Sequence, residues 1–406
     1  MVEQRNPHIL RLSSERASLW NARQPILIDL DIELTERCNN NCVHCCINLP
    51  ADDPIAKKRE LSTAAIKKIL KEAASLGCLT VRFTGGEPLL RDDFEELYLY
   101  ARKLGLKVLL FTNATLITPS LAELLSRIPP LEKIEITVYG MKKLSYEAIT
   151  RTPGSFDAAW RGINLLLEKK IPFVVKGVLL PHNRGDIEEF ETWAATIPWM
   201  DDQPSYSVFF DLHCRRDKKK NETIRNIRPT PQEGLKFLAR RKGTYLKEMK
   251  KFCSRFMGPT GDKLFSCGAG MGGASIDSYG QLQLCMDLRH PDTVYDLKKG
   301  SIKQAMNDFF PAVREMKASH PDYLARCARC FLKGLCEQCP GKSWTEHGTL
   351  DTPVDYFCEI AHTEARAIGL LGQDEKAWEV MDWKERIKNL SQEESGTPLK
   401  RRAPWK

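Results

Sequence analysis

The sequence predicts an α/β fold: a partial (β/α)6 barrel followed by a C-terminal cysteine-rich domain. Three observations predict it. Six apolar, strand-like runs alternate with helical segments between positions 26 and 212, the pattern of parallel βα units. Cys38, Cys42, Cys45, the stretch 85–87, Asn113 and Gly140 fall just after those runs, where α/β folds gather their sites. Finally, the 406 residues include 14 cysteines, eight of them between positions 253 and 358.

The elements follow in order. Residues 26–34 are strand-like and lead straight into the first cysteines. Residues 61–76 have helical spacing, with Leu61, Ile66, Ile69, Leu70 and Ala73 apolar and Ser62 or Thr63 as the cap. A second strand, 79–83, ends at Thr84-Gly85-Gly86-Glu87-Pro88. Helix 92–104 precedes strand 107–112, helix 121–128 precedes strand 134–139, and helix 156–168 precedes strand 173–180. Helix 187–195 and strand 206–212 complete the alternation, which stops there and favours six units over eight. Residues 215–220 read as a basic, solvated loop, and 231–251 as a basic helical bridge. The stretch 253–358 has little periodicity, so it is expected to lack a large apolar core and to need metal to fold. The polar tail 390–406 is expected to be disordered.

Composition narrows the function. The net charge of +8 permits nucleic acid or an acidic peptide as partner and requires neither. Lysines such as Lys67, Lys68 and Lys71 are spread over helix faces, and no nucleic-acid-binding signature is present, so nucleic acid is disfavoured. The polar start has no signal-peptide core, and no apolar run approaches the roughly 20 residues that span a bilayer. The expectation is a soluble, cytoplasmic chain with no membrane partner. Thiols there stay reduced, which favours metal over disulfides.

Cys38-Asn-Asn-Asn-Cys42-Val-His44-Cys45 brings three thiolates toward one point. A structural zinc wants a fourth ligand, and none sits at the usual spacing, although His44 and Cys46 are close. Three thiolates suit a cubane cluster with one iron left open. The spacing, continued by Gly85-Gly86-Glu87-Pro88 after the second strand, resembles the radical S-adenosylmethionine (SAM) family.

That resemblance implies a catalytic 4Fe–4S cluster on Cys38, Cys42 and Cys45, with SAM chelating the open iron. Gly85, Gly86, Glu87 and Pro88 would support the SAM amino group, because glycines admit close approach and Glu87 or neighbouring carbonyls accept from an ammonium. His44 joins the cofactor-binding residues. Asn113 stands at the family's Thr-Asn-Gly position, with Ala114 replacing the glycine. Thr137 would lie near the SAM ribose, Arg151 near its carboxylate and Val178 near the adenine. Turn chemistry, a sheet face, a surface charge and core packing are the plain alternatives for these four.

Cys267, then Gly280-x4-Cys285, then Cys327-x2-Cys330-x5-Cys336-x2-Cys339 and Cys358 resemble the SPASM extension of radical SAM enzymes. The resemblance implies two auxiliary 4Fe–4S clusters, three in all. Cys267, Cys285 and Cys339 would serve the inner one, with Cys253 as a candidate fourth ligand. Cys327, Cys330, Cys336 and Cys358 would serve the outer one. Thiolate sets of this kind suit zinc as well as Fe–S by chemistry alone. The division expected is an extension 1–25, a radical SAM barrel 26–228, a bridge 229–252, a SPASM domain 253–362, and a C-terminal helix and tail 363–406.

The family chemistry is reductive cleavage of SAM to a 5′-deoxyadenosyl radical, which takes hydrogen from the substrate. SPASM relatives mostly act on ribosomally made peptides, and the segment Ile136-Thr-Val-Tyr-Gly140 is like that of peptide-modifying members. A crosslinking peptide maturase is therefore expected, fed by reduced flavodoxin or ferredoxin. About 25 residues before the first strand are too few for a leader-recognition domain, so a separate leader-binding protein is a possible partner. Met286 before Asp287 argues against formylglycine formation. Alternatives are modification of a small molecule or tetrapyrrole, and non-catalytic electron transfer.

Overall fold

The computed structural model describes residues 14–240 and 244–392. Strands β1 (Asp29–Thr35), β2 (Thr80–Gly85), β3 (Lys107–Thr112), β4 (Ile134–Val138), β5 (Phe173–Val178) and β6 (Ser205–Ser207) pair in chain order, all parallel. Helices on the intervening segments complete a partial (β/α)6 barrel. Helix Thr63–Ser75 between β1 and β2 is capped by the Ser62 side chain. A helix at Lys143–Thr150 was not expected from periodicity. The sixth strand is shorter than expected. Val208, Phe210 and Leu212 are buried, so packing rather than ladder pairing accounts for their apolar pattern.

The two faces of the sheet differ in kind. Leu30, Ile32, Val81, Phe83, Val108, Ile134, Ile136 and Phe173 are fully buried on the helix-covered face. Each such side chain contributes about 1.5–3 kcal/mol. The other face is polar and internally paired: Arg82 meets Asp31 at 3.0 Å and Lys176 meets Glu135 at 3.1 Å. Both cations flank Phe111, with Lys176 Nζ 3.4 Å from the ring centroid.

The sheet extends beyond β1. Strand β7 (Gly273–Ile276) pairs parallel with β1, from Asp29 opposite Gly273 to Ile32 opposite Ile276. Strands β8 (Gln281–Gln283) and β9 (Val294–Asp296) follow antiparallel, giving nine strands among the described residues. The β7–β8 turn needs a left-handed residue, and Gly280 supplies it at φ +90°. By compactness, residues up to Arg228 form one unit with Cys267–Val313, because β7 is tied to β1.

The second unit comprises Pro229–Ser266 and the chain from Arg314 onward. The basic bridge there is two helices, Pro231–Leu238 and Thr244–Phe256. This unit does have an apolar core: Cys253, Phe331, Leu332, Leu335, Ala361, Ala365, Leu370 and Leu390 are all buried together. The stretch 253–358 supplies only Cys253, Phe331, Leu332 and Leu335 to this cluster, and the other seven residues lie at 361–390. Leu390 belongs to helix Trp383–Gln392, so the tail begins later than expected, and residues 393–406 lie outside the described ones. Among the described residues no helix is long and apolar enough to cross a membrane.

Candidate active site

The first cysteine loop leaves β1 and is held at the carboxyl ends of the strands. Residues Arg37–Cys38 pair with Leu49–Pro50 and close it. Its crown is pinned to the end of helix Lys143–Thr150: Asn41 N donates to Thr150 O at 2.9 Å and Val43 N to Ile149 O at 3.0 Å. Each sulfur faces donors suited to a thiolate. Cys38 Sγ accepts from Asn40 N at 3.4 Å and from Asn113 Nδ2 at 3.8 Å. Cys42 Sγ meets the Tyr139 hydroxyl, and Cys45 Sγ meets the N–H groups of Ile47 and Asn48. Burial pushes the Cys42 thiol up to about 12 and raises Cys38 and Cys45 as well. Thiolates in such surroundings require a compensating positive charge, which a metal centre provides. The Asn40 side-chain amide is buried beside Cys38 with no partner on either end, and His44 Nδ1 is also unpaired. Buried polar atoms without partners fit a ligand that belongs there.

Glu87 ties two strand ends together. It is fully buried, and its carboxylate accepts from Thr112 Oγ1 at 2.8 Å, Asn113 N at 2.8 Å and Leu89 N at 3.1 Å. Burial pushes the carboxyl up to about 7 against those bonds. Asn113 continues the chain, donating to Asn39 Oδ1 at 2.9 Å and to Cys38. The carboxylate is thus occupied within the protein, which leaves backbone carbonyls of the motif as the acceptors for a ligand ammonium. Glu87→Gln turns one acceptor into a donor facing N–H or O–H groups. The expected result is a loss of about 1–3 kcal/mol in thermal unfolding and a matching fall in SAM cleavage. An unchanged melting temperature would show that the network is dispensable.

The remaining expected residues are placed as follows. His44 lies between Tyr139 and Phe210, with ring centroids 5.7 and 5.2 Å away, and burial drives its imidazole down to about 3, so it is neutral. Arg151 is an exposed, left-handed residue ending the helix that pins the cysteine loop. Thr137 lies on the polar face of β4 beside Glu135, and Val178 is buried at the end of β5. Ala114 takes φ +63°, a backbone region that glycine adopts more readily than alanine. Cys46 and Cys214 sit together: Cys214 N donates to Cys46 O at 2.8 Å, and the hydrogen bond between the thiols, with burial, raises Cys46.

The other cysteines divide between the units. Exposed Cys267 and half-buried Cys285 flank the β7–β8 hairpin in the first. In the second, Cys327, Cys330, Cys336, Cys339 and Cys358 line one cavity of about 70 Å³, several times the space that one water needs. Cys253 is not among its lining residues; it is fully buried in the apolar core, packed as a small hydrophobe. No group of three or more His, Cys, Asp or Glu side chains among the described residues forms a single-ion site. A mononuclear zinc needs its donors at one point, whereas a cubane spreads its cysteines over separate irons.

Residues 32–194 match the Radical SAM superfamily. The chain carries a radical SAM domain. Over 190 residues it is 31% identical to the AdoMet-dependent heme synthase of Methanosarcina barkeri, covering 47% of this chain and 52% of that protein. Over 200 residues it is 34% identical to the mycofactocin maturase MftC of Mycobacterium tuberculosis, covering 47% and 50%. The chain therefore spans about half the length of these relatives. Its fold is that of Streptococcus suis SuiB in complex with its precursor peptide SuiA: TM-score 0.55 over 84% of this chain and 78% of that one, at 16% identity. The architecture is a mixed α/β core with a partial barrel-like sheet, followed by a C-terminal helical, cysteine-rich part.

Two basic residues beyond the matched segment, Arg215 and Lys220, serve the site in a way their local sequence does not signal. Residues 215–219 of the basic run are exposed as expected, with a helix starting at Lys218, but two of its side chains reach inward. Lys220 Nζ donates to Cys42 O at 2.6 Å, and Arg215 pairs with buried Glu36 and donates to the Tyr279 hydroxyl at 2.8 Å. Tyr279 in turn donates to Glu36 at 2.6 Å, and Arg289 pairs with buried Glu33. Acidic Glu33 and Glu36, in a strand otherwise apolar on alternate positions, were the available signal that buried cations would come from elsewhere.

Proposed function

We propose that this chain is a radical SAM/SPASM peptide maturase that installs a crosslink or a related oxidation. The observation that carries the radical SAM part is the three-cysteine loop: buried thiols with matched donors, and the unpartnered Asn40 amide beside them. When bound, SAM at a 4Fe–4S cluster on Cys38, Cys42 and Cys45 supplies a 5′-deoxyadenosyl radical for hydrogen abstraction. Asn113 and the N–H groups of the loop stabilise the thiolates. Glu87 holds the ends of β2 and β3 in register. Gly85 to Pro88, Thr137, Arg151, His44 and Val178 are the residues that would orient SAM. Two auxiliary clusters on the SPASM cysteines would take or pass an electron, with Cys327, Cys330, Cys336 and Cys358 holding the outer one. The assignment of 26–228 and 253–362 as barrel and SPASM domains is part of this reading.

Likeness to MftC, which is named a maturase, and to the fold of peptide-bound SuiB supports a peptide substrate. The polar inner face of the sheet, with Asp31, Arg82, Glu135 and Lys176, suits polar chain segments better than a flat apolar ring. Reduced flavodoxin or ferredoxin would supply electrons, and a separate protein could present a leader. The reconstituted enzyme, incubated with SAM, reductant and the peptide encoded beside its gene, is expected to shift the peptide's mass by loss of hydrogen. Unchanged peptide mass beside normal SAM cleavage overturns the peptide reading. The heme synthase likeness favours one alternative, a tetrapyrrole substrate, which the same assay with an iron porphyrin tests.

A further inference from the structure

The cavity in the second unit has a charged neighbour that the cluster reading does not use. Arg326 Nη2 donates to Cys358 Sγ at 3.6 Å and to Asp355 Oδ1 at 2.7 Å, while its Nε is buried without a partner. Trp378 holds the guanidinium in place from one side, 5.1 Å from the ring centroid. The same ring packs on His362, 5.3 Å away. The tautomer of His362 follows from its neighbours. Ala377 N–H donates to Nε2 at 3.1 Å, so the proton sits on Nδ1, which faces Cys358 O at 2.8 Å and Cys358 Sγ at 3.6 Å. Cys358 therefore receives two side-chain donors, one of them cationic. Cys358 also lines a second, polar crevice of about 390 Å³ with Arg326, Asp355, Glu359, Arg366 and Lys376.

Resting on the reading that Cys327, Cys330, Cys336 and Cys358 hold the outer cluster, we propose that Arg326, assisted by His362, raises that cluster's reduction potential through Cys358. Reduction adds one negative charge to a cluster already bearing thiolates. A guanidinium donating to one sulfur stabilises the more negative form, and hydrogen bonds to cluster sulfurs are an established lever on potential. Asp355, three quarters exposed, partly offsets that field. Arg326 thus acts as a positioning residue whose effect is read in the potential, and Asp355 opposes it.

The test is an EPR-monitored redox titration of the full chain in which Cys38, Cys42 and Cys45 are replaced by alanine, so that only auxiliary clusters report. Arg326→Gln is expected to lower the reduced-to-oxidised ratio of one component about tenfold at fixed potential, a shift of about 59 mV. Arg326→Lys is expected to shift it less. Asp355→Asn, a surface change that leaves Arg326 in place, is expected to shift the same component upward. Opposite signs for Arg326→Gln and Asp355→Asn are not produced by a merely structural role. Full iron with an unmoved potential in both variants overturns the proposal and leaves the cluster reading standing. Iron content in the parent that does not fall when Cys358 is replaced sinks the cluster reading itself, and this inference with it. If Arg326→Gln loses iron, the Asp355→Asn shift alone decides.

Discussion

Cys42→Ala is expected to abolish 5′-deoxyadenosine formation from SAM and to remove about four of about twelve irons from the reconstituted chain. Cys42 is 4% exposed, its sulfur meets the Tyr139 hydroxyl, and its carbonyl is held by Lys220. An alanine fills most of that volume, so the loop should keep its hydrogen bonds to Ile149 and Thr150. The auxiliary cysteines are untouched, and their share of the iron should remain. A three-thiol site has no spare protein ligand, so losing one sulfur removes the cluster rather than weakening it. Anaerobic reconstitution, iron and sulfide analysis, and chromatography of SAM products check this. Persistent 5′-deoxyadenosine at the parent rate would remove the basis of the functional reading.

Gly86→Ala is expected to have nearly as large an effect through the backbone alone. A Cβ at Gly86 would lie 2.2 Å from Arg37 O, 2.5 Å from Arg37 C and 2.6 Å from Glu36 O. All three are main-chain atoms just before Cys38, and none can swing aside. They are held close by Gly86 N donating to Thr35 O at 2.7 Å and Glu87 N to Arg37 O at 2.9 Å. One methyl group must force these segments apart, break those bonds and shift the cysteine loop. Destabilisation of about 3 kcal/mol is expected, the upper range of overpacking, with SAM cleavage lost. Gly185→Ala is the control, because nothing lies within 4 Å of its added Cβ. Equal melting temperatures and SAM turnover for the two variants would refute the close-packing argument.

The same contacts give the glycines a further task. The motif suggested glycine for approach to a bound ligand. In the structure Gly85 and Gly86 abut the strand that carries the cysteines, with a Cβ at Gly85 falling 2.1 Å from Thr35 O. The glycines bring β2 against the cysteine loop.

The parts of the site legible in the sequence were those built from neighbours in the chain. Three cysteines within eight residues must share a loop, and a Gly-Gly-Glu-Pro stretch after an apolar run must end a strand. The barrel strands were legible for the same reason, since alternation of apolar runs and helical spacing is local. Helix Lys143–Thr150 was missed because only Tyr146, Ile149 and Thr150 are buried on it, too few for a clear period. The sixth strand was overcalled because burial of Val208, Phe210 and Leu212 imitates a strand pattern.

Taken alone, the sequence determined the three-thiol loop, the strand it follows, the parallel βα order and the cysteine-rich character of the C-terminal part. Tertiary structure alone decided which distant groups serve those thiols. Lys220 reaches the Cys42 carbonyl, Asn113 reaches Cys38, and Arg326 reaches Cys358, whereas Cys253 turns into an apolar core. The physical reason is range. Chain spacing controls which groups are neighbours over a few residues, but a hydrogen bond between distant residues exists only once strand pairing and helix packing have set the two backbones side by side.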